Sequence, residues 1–273
     1  MARRGPLVNV MAAAAEKAAR VLRRDFGEVE HLQTSKKGPA DFVSEADRRS
    51  ERILYEELSR VRPGYGFLME ERGVVEGRER NMRWIVDPLD GTTNFLHGLP
   101  HFAISIAAEE EGELIAGVVY DPLRDEMFWA ERGGGAFLND QRLRVSSRTG
   151  LKAALLATGI PFAGKPGRER FLAEMAALMP EVAGIRRFGA AALDLAYVAA
   201  GRYDGFWESD LSPWDMAAGI LIVREAGGFA TDLDGGRHIF ETGSIIAANP
   251  DLHPAMSRIL KAAGRKTTDA SRT

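Results

Sequence analysis

The sequence predicts an α/β (α+β) protein of layered sheets and helices in two halves, on three observations. Helical periodicity recurs at both ends of the chain. Between residues 66 and 146 the pattern is mostly strands, two of them joined by a tight turn. After about residue 148 strands and helices alternate. No linker is rich enough in Gly, Pro or Ser to part the halves. Residues 1–273 are therefore expected to form one unit, with approximate halves 1–147 and 148–262 and a flexible tail at 263–273.

The elements follow in order. Apolar residues at helical spacing predict helices over about 7–25 and 47–61, with Asp47 near the start of the second. GFLM (66–69) and WIV (84–86) read as strands. FAISIAAE and ELIAGVVYD flank Glu110-Glu111-Gly112 and read as a β-hairpin. EMFWAE (126–131) is a further strand, and GGGAFLND a turn-rich connector into LRVS. ALLATG is a strand, PFAGKPGRER a loop, and 168–179 a helix. IRRF (185–188), YDGFWE, GFATDL and SIIAAN read as strands. AALDLAYVAAG, WDMAAGILIVREAGG and DLHPAMSRILKAA read as helices, the second ending at paired glycines.

Composition narrows the function. The chain has 273 residues, 45% hydrophobic and 27% charged, which is ample for a sizeable core. A formal net charge of −3 gives no basic surface for nucleic acid, so no direct nucleic-acid binding is expected. The absence of cysteine excludes disulfides, thiolate nucleophiles and Cys-ligated metals, and is compatible with the expected cytoplasmic location. No apolar run reaches membrane-spanning length, and Arg3 and Arg4 lead into an amphipathic helix rather than a signal segment. The five histidines stand at no metal-binding spacing.

The chemistry is concentrated in acids beside turns. WIVDPLDGTTNFLHG (84–98) ends a buried strand on Asp87, turns through Pro88-Leu89, and adds Asp90 and Gly91-Thr92-Thr93. Two carboxylates and the Leu89 carbonyl are hard oxygen ligands suited to Mg²⁺. A helix starting at the following small residues would offer its N–H groups to a phosphate. Glu70 in LMEERG and Asp215 in SPWDMAAG are the other acids placed to join them. Each has an ordinary alternative: Asp47 and Asp215 as helix-start acids, Glu70 as a solvated turn residue. Glu70, Asp87, Asp90 and Asp215 together carry four negative charges. A phosphate monoester adds about two more, so a converged site would require cations.

At these residues the chain resembles the inositol monophosphatase family of Mg²⁺-dependent, lithium-sensitive phosphatases. The resemblance runs from about Lys36 to Asn249 and rests on WIVDPLDGTTNF and WDMAAGILIVREAGG in this order. RRFGAAALDLAYVAAGRYDGFWE resembles the bacterial SuhB-type branch. The resemblance implies an αβαβα sandwich of the inositol monophosphatase / fructose-1,6-bisphosphatase-like type, commonly a homodimer. It implies roughly two or three Mg²⁺ ions, inhibited by Li⁺, on Glu70, Asp87, the Leu89 carbonyl, Asp90 and Asp215. Glu70 would also help place the attacking water. Thr92, paired with Asp47, would orient or activate that water. Gly91 and Thr92 amides would hold phosphate oxygens, with Lys36 a basic residue nearby. Arg187, Gly189, Ala190, Ala191, Glu208 and Asp215 would meet the alcohol of a small-molecule phosphate ester, most plainly myo-inositol 1-phosphate. Gly189-Ala190-Ala191 could equally serve close helix packing, Glu208 a solvated strand end, and Arg187 a surface strand. Met69 and Arg72 depart from the family pattern around the acidic pair.

Within the same fold the alternatives are fructose-1,6-bisphosphatase, histidinol-phosphatase and phosphoadenosine-phosphate phosphatase. A bisphosphatase should carry a second basic cluster; the arginines are scattered, with Arg186-Arg187 the best candidate. A further role, contact with the transcription-elongation machinery, is implied by the bacterial branch.

Overall fold

The computed structural model describes residues 4–32, 39–161 and 166–270. The chain begins with α1 (Pro6–Leu32) and α2 (Pro39–Val61), then β1 (Tyr65–Met69), β2 (Gly73–Val75), β3 (Glu79–Asp90) and α3 (Thr92–Leu96). Next come β4 (Ala103–Glu110), β5 (Glu113–Asp121), β6 (Glu126–Glu131), β7 (Gly135–Leu138) and β8 (Gln141–Arg142). The second half holds β9 (Leu155–Thr158), α4 (Arg168–Leu178), β10 (Gly184–Arg186), α5 (Ala191–Ala199), β11 (Gly205–Glu208) and α6 (Pro213–Glu225). β12 (Phe229–Thr231), α7 (Ile239–Thr242), β13 (Ile245–Ala248) and α8 (His253–Ala270) complete it.

Two sheets result. The eight-stranded one runs β2-β1-β3-β4-β5-β6-β7-β8 and is antiparallel except for the parallel pair β1–β3. The five-stranded one runs β10-β9-β11-β13-β12, with β10, β9 and β11 parallel.

The period-two alternation of the strands sorts side chains into separate cores. Along β3, Trp84 and Val86 join the core under α1 and α2, while Ile85 turns to the core around α5 and α6. In the second sheet Ala157, Phe206 and Ala247 face that same middle core. Leu156, Trp207 and Ile246 face Leu178 of α4 and Met256 and Leu260 of α8. The order is therefore helix, sheet, helix, sheet, helix: the αβαβα sandwich. All nine residues of α5 are buried, as befits a helix between two sheets.

Several expectations change. α2 starts at Pro39, a residue favoured at a first helical position, so Asp47 lies two turns inside it and caps nothing. α1 continues to Leu32. The stretch read as a turn-rich connector contains β7 and β8, and LRVS forms no strand. β2 and α7, three and four residues long, gave no pattern to read. α8 runs to Ala270, through most of the stretch expected to be a tail.

Candidate active site

β1 and β3 lie parallel with Met69 opposite Val86, so the next residues, Glu70 and Asp87, stand side by side. β3 then does something that ordinary pairing forbids. Asp87 pairs with Ser105 and Asp90 with Ala103, so three steps on β3 match two on β4: a β-bulge. Residues three apart on a regular strand point to opposite faces. The extra residue restores both acids to one face, the side of α5 and α6. Pro88 has no N–H to donate to the ladder. The Leu89 N–H donates instead to Asp87 Oδ1 at 2.9 Å, and the Leu89 side chain is fully buried in the core beneath α1 and α2.

α2 fixes this turn from behind. Ser50 Oγ donates to the Pro88 carbonyl at 2.8 Å. One residue on, Glu51 Oε2 accepts the N–H groups of Glu71 at 2.9 Å and Arg72 at 3.2 Å. Asp47, a turn earlier on the same face, is buried, and its Oδ1 has no hydrogen-bond partner.

Two helix N-termini close on the acids from the other side. Asp90 Oδ2 accepts the Ala192 N–H at 2.8 Å, in the first turn of α5. Asp215 Oδ2 accepts the Ser212 N–H at 2.7 Å, so it is a capping acid of α6 and a wall of the cavity at once. Gly91 links β3 to α3 at φ 90°, and a Cβ there would lie 2.9 Å from the His101 carbonyl oxygen. Only glycine meets both conditions. Buried Asn94 donates to the carbonyls of His101 at 2.8 Å and Phe188 at 2.7 Å, tying α3 to the Gly189-Ala190-Ala191 turn.

The acids open on a cavity of ≈ 320 Å³. Its floor is Glu70, Asp90, Gly91, Thr92 and Asp215. The rest of its lining includes Glu208, Arg187, Gly189, Ala191 and Gly159, with Arg170, Phe171 and Glu174 of α4. Asp47, Asp87, Leu89 and Ala190 are buried outside the lining; Ala190 packs on Gly91. Lys36 lies outside the described residues.

The cluster is electrostatically loaded. Burial, followed by the fields of Glu70, Glu71 and Glu51, pushes Asp47 up to about 8. Burial and the Asp215 charge raise Glu70 to about 7, although its hydrogen bond with Asp87 opposes this. Burial and Asp215 raise Asp90 to about 8, against the pull of the Ala192 N–H. Asp87 is raised well above its ordinary value by burial, then by Glu70 and Asp90. Desolvation and mutual repulsion thus outweigh the helix dipoles, and all four groups named are raised above the usual carboxylate range. Among the described residues, no three acidic or histidine side chains are arranged to hold a metal ion. Backbone N–H groups and the Glu70–Asp87 bond occupy their oxygens. The donor set nevertheless fits hard cations: oxygen atoms only, buried, repelling one another, with the Asp47 Oδ1 orphaned behind them.

Comparison with known proteins agrees with this constellation. The model of the inositol monophosphatase family matches residues 4–267. The chain belongs to that family. It is an enzyme, a phosphatase of the inositol monophosphatase type. An inositol-1-monophosphatase of Mesorhizobium japonicum is 58% identical over 258 residues, covering 94% of this chain and 97% of that one. The Nus factor SuhB of Escherichia coli is 45% identical over 251 residues, covering 92% and 94%. The crystal structure of the extragenic suppressor protein suhB from Bartonella henselae superposes with a TM-score of 0.88 at 58% identity, covering 94% and 99%. The match extends beyond Lys36–Asn249 to include α1 and most of α8.

The structure gathers Glu70 from the end of β1, Asp87 and Asp90 from β3, and Asp215 from α6. It does not join Thr92 to Asp47: the Thr92 hydroxyl donates to the Leu89 carbonyl at 3.0 Å. Sequence reasoning missed Ser50, Glu51, Asn94 and Asp194. The first two share a helical stripe with Asp47, a signal visible once α2 is begun at Pro39. Asp194 is buried on α5, and neither carboxyl oxygen has a partner. Burial, with Glu208 and Asp90 nearby, raises it well above the usual carboxylate range.

Proposed function

We propose that the chain hydrolyses a phosphate monoester, most directly myo-inositol 1-phosphate, by in-line attack of water on phosphorus in a Mg²⁺-dependent reaction. The observation that supports this is the buried, self-repelling acid cluster at one end of a cavity whose other wall carries Glu208 and Arg187. Held by Glu70, Asp87, the Leu89 carbonyl, Asp90 and Asp215, Mg²⁺ would supply charge neutralisation, a more acidic water and stabilisation of the departing oxygen.

The protein's own groups do the rest. α3 is five residues long, so its individual N–H groups matter more than any dipole. The amides of Gly91 and Thr92 hold phosphate oxygens. Thr92 and Asp47 orient the attacking water. To do so, the Thr92 hydroxyl leaves the Leu89 carbonyl, freeing that oxygen as a ligand at the same time. Asp47 is buried with its Oδ1 unpartnered, so in its ionised form it can accept a hydrogen bond from that water. Glu208 and Asp215 accept hydrogen bonds from the alcohol's hydroxyls, while Gly189 and Ala191 let the ring approach closely.

A panel of phosphate esters compared by kcat/KM, with Mg²⁺ and with or without Li⁺, tests the reading. Inositol 1-phosphate should lead and Li⁺ should inhibit. A clear preference for fructose 1,6-bisphosphate, histidinol phosphate or a 3′-phosphoadenosine phosphate would overturn the substrate. The homodimer and the cytoplasmic location belong to the same reading. Exposed Leu99 and Phe188 support the dimer as an apolar contact, which sedimentation velocity would check. The name of the Nus factor relative supports a second, non-catalytic role in transcription elongation. Capture of RNA polymerase by the Asp87→Asn protein would separate it from catalysis.

A further inference from the structure

Arg72, which departs from the family pattern, has a place in the fold. Its guanidinium lies 4.2 Å from the centroid of the Tyr55 ring on α2, and its Nε is 3.7 Å from Glu51 Oε1. Glu51 is almost completely buried, and its other oxygen takes the N–H groups of Glu71 and Arg72. Both carboxylate oxygens of Glu51 are therefore spent on the segment that follows Glu70. That segment connects β1 to β2, the edge strand of its sheet, and α2 meets it again where Arg48 Nε lies 3.7 Å from Glu71 Oε2. The preceding residue of α2, Ser50, holds the Pro88 carbonyl beside Asp87. Consecutive residues of one helix thus hold the backbone beside both Asp87 and Glu70.

We infer that Glu51 and Arg72 form a clasp that positions Glu70, and that the clasp sets how tightly the acid cluster binds a divalent cation. The inference rests on the metal-dependent reading above. With the clasp closed, Glu70 is held beside Asp87 and loses little freedom when a cation arrives. With it open, the segment must be ordered at that moment, and affinity falls by the cost of ordering. Glu51 and Arg72 are positioning residues; neither is asked to touch the substrate.

Charge and positioning make opposite predictions for Arg72→Ala. Removing a cation beside an acidic site strengthens cation binding by Coulomb's law alone. Losing the clasp weakens it. The experiment titrates the metal-free protein with Mn²⁺, followed by electron paramagnetic resonance, and measures amide exchange at Glu71 and Arg72 with the β4–β5 hairpin as control. In Arg72→Ala, whose side chain is largely exposed, the Mn²⁺ dissociation constant should rise about tenfold. Exchange at those two amides should quicken by a similar factor while the hairpin is unchanged. Glu51→Gln keeps the shape and should quicken the same amides.

Mn²⁺ binding by Arg72→Ala as tight as wild type, or tighter, would overturn the inference. So would unchanged exchange at residues 71 and 72 in both variants. Failure of the wild-type protein to bind Mn²⁺ at all is a separate result that would overturn the metal-dependent reading itself.

Discussion

The two walls of the cavity are built differently. On the acid side, three carboxylates are each pinned by a backbone N–H: Asp87 by Leu89, Asp90 by Ala192 and Asp215 by Ser212. The pins come from a bulge, from α5 and from the entry to α6. On the alcohol side, Glu208 extends from the last residue of β11 over Gly159, and Arg187 folds over Gly189. Glycines lie beneath both. The carboxylates of one wall each take a main-chain N–H, while on the other two long charged side chains lie over glycines. In the proposed reading the acid wall would set the reaction and tolerate little change, while the alcohol wall would set the substrate and accept substitution without unfolding the protein.

The strongest test of that contrast is Asp90→Asn. Turnover should fall by about 10³-fold or more, since an electrostatic contribution of several kcal/mol is lost, while far-UV circular dichroism stays native. Near-normal turnover would end the scheme. Asn94→Ala comes next, because Asn94 joins the two walls. Removing its amide leaves the His101 carbonyl buried and unsatisfied and frees the part-buried Phe188 carbonyl, at a cost of about 1–3 kcal/mol. Denaturant midpoint and KM should both worsen. A change in neither would show the walls to be independent.

A smaller effect concerns pH. Glu70 near 7, and Asp47 and Asp90 near 8, all lie above their unfolded values of 4.5 and 3.8. Between about pH 4 and 8 the folded state then binds more protons than the unfolded one, so stability without metal falls as pH rises. Metal-free protein should melt higher at pH 5 than at pH 8, by roughly 2 °C, or about 1 kcal/mol, at least. Mg²⁺ should recover most of the loss at pH 8 and little at pH 5. The smallest effect is Gly159→Ala. The new Cβ would overlap the Glu208 carboxylate, a flexible side-chain end, so the fold survives. KM for inositol 1-phosphate should rise about threefold to tenfold, with hydrolysis of p-nitrophenyl phosphate unchanged. Equal loss on both esters would blur the distinction between the walls.

The same asymmetry governed what could be read from the residues alone. The acid side was legible because turns and helix starts are local: Pro88, the paired acids and Ser212-Pro213 declare themselves within a few residues. Period-two alternation located most strands, and the buried helices α5 and α6 stood out as apolar runs. What stayed hidden was long-range. Nothing near Asn94 announces that its amide reaches residue 188. Nothing near Glu51 announces the amides twenty residues on. Asp47 is expected near a helix start, whereas α2 begins eight residues before it, at Pro39, ahead of the apolar periodicity. β2 and α7 are too short for any periodicity to emerge.

The bulge at Pro88-Leu89 also bears on how such a site can change over generations. Surface loops lengthen and shorten with little penalty. This turn is different, because the spare residue acts as a phase shift in a two-letter alphabet of inward and outward. Deleting Leu89 would keep every acid in the chain, in the same order, yet turn Asp90 to the wrong side of the sheet. Insertions and deletions are therefore closed to this segment as routes of variation, while substitutions on the opposite wall stay open. Relatives that diverge in substrate should differ in the letters around Glu208 and Arg187, and agree in the count of residues between Asp87 and Asp90.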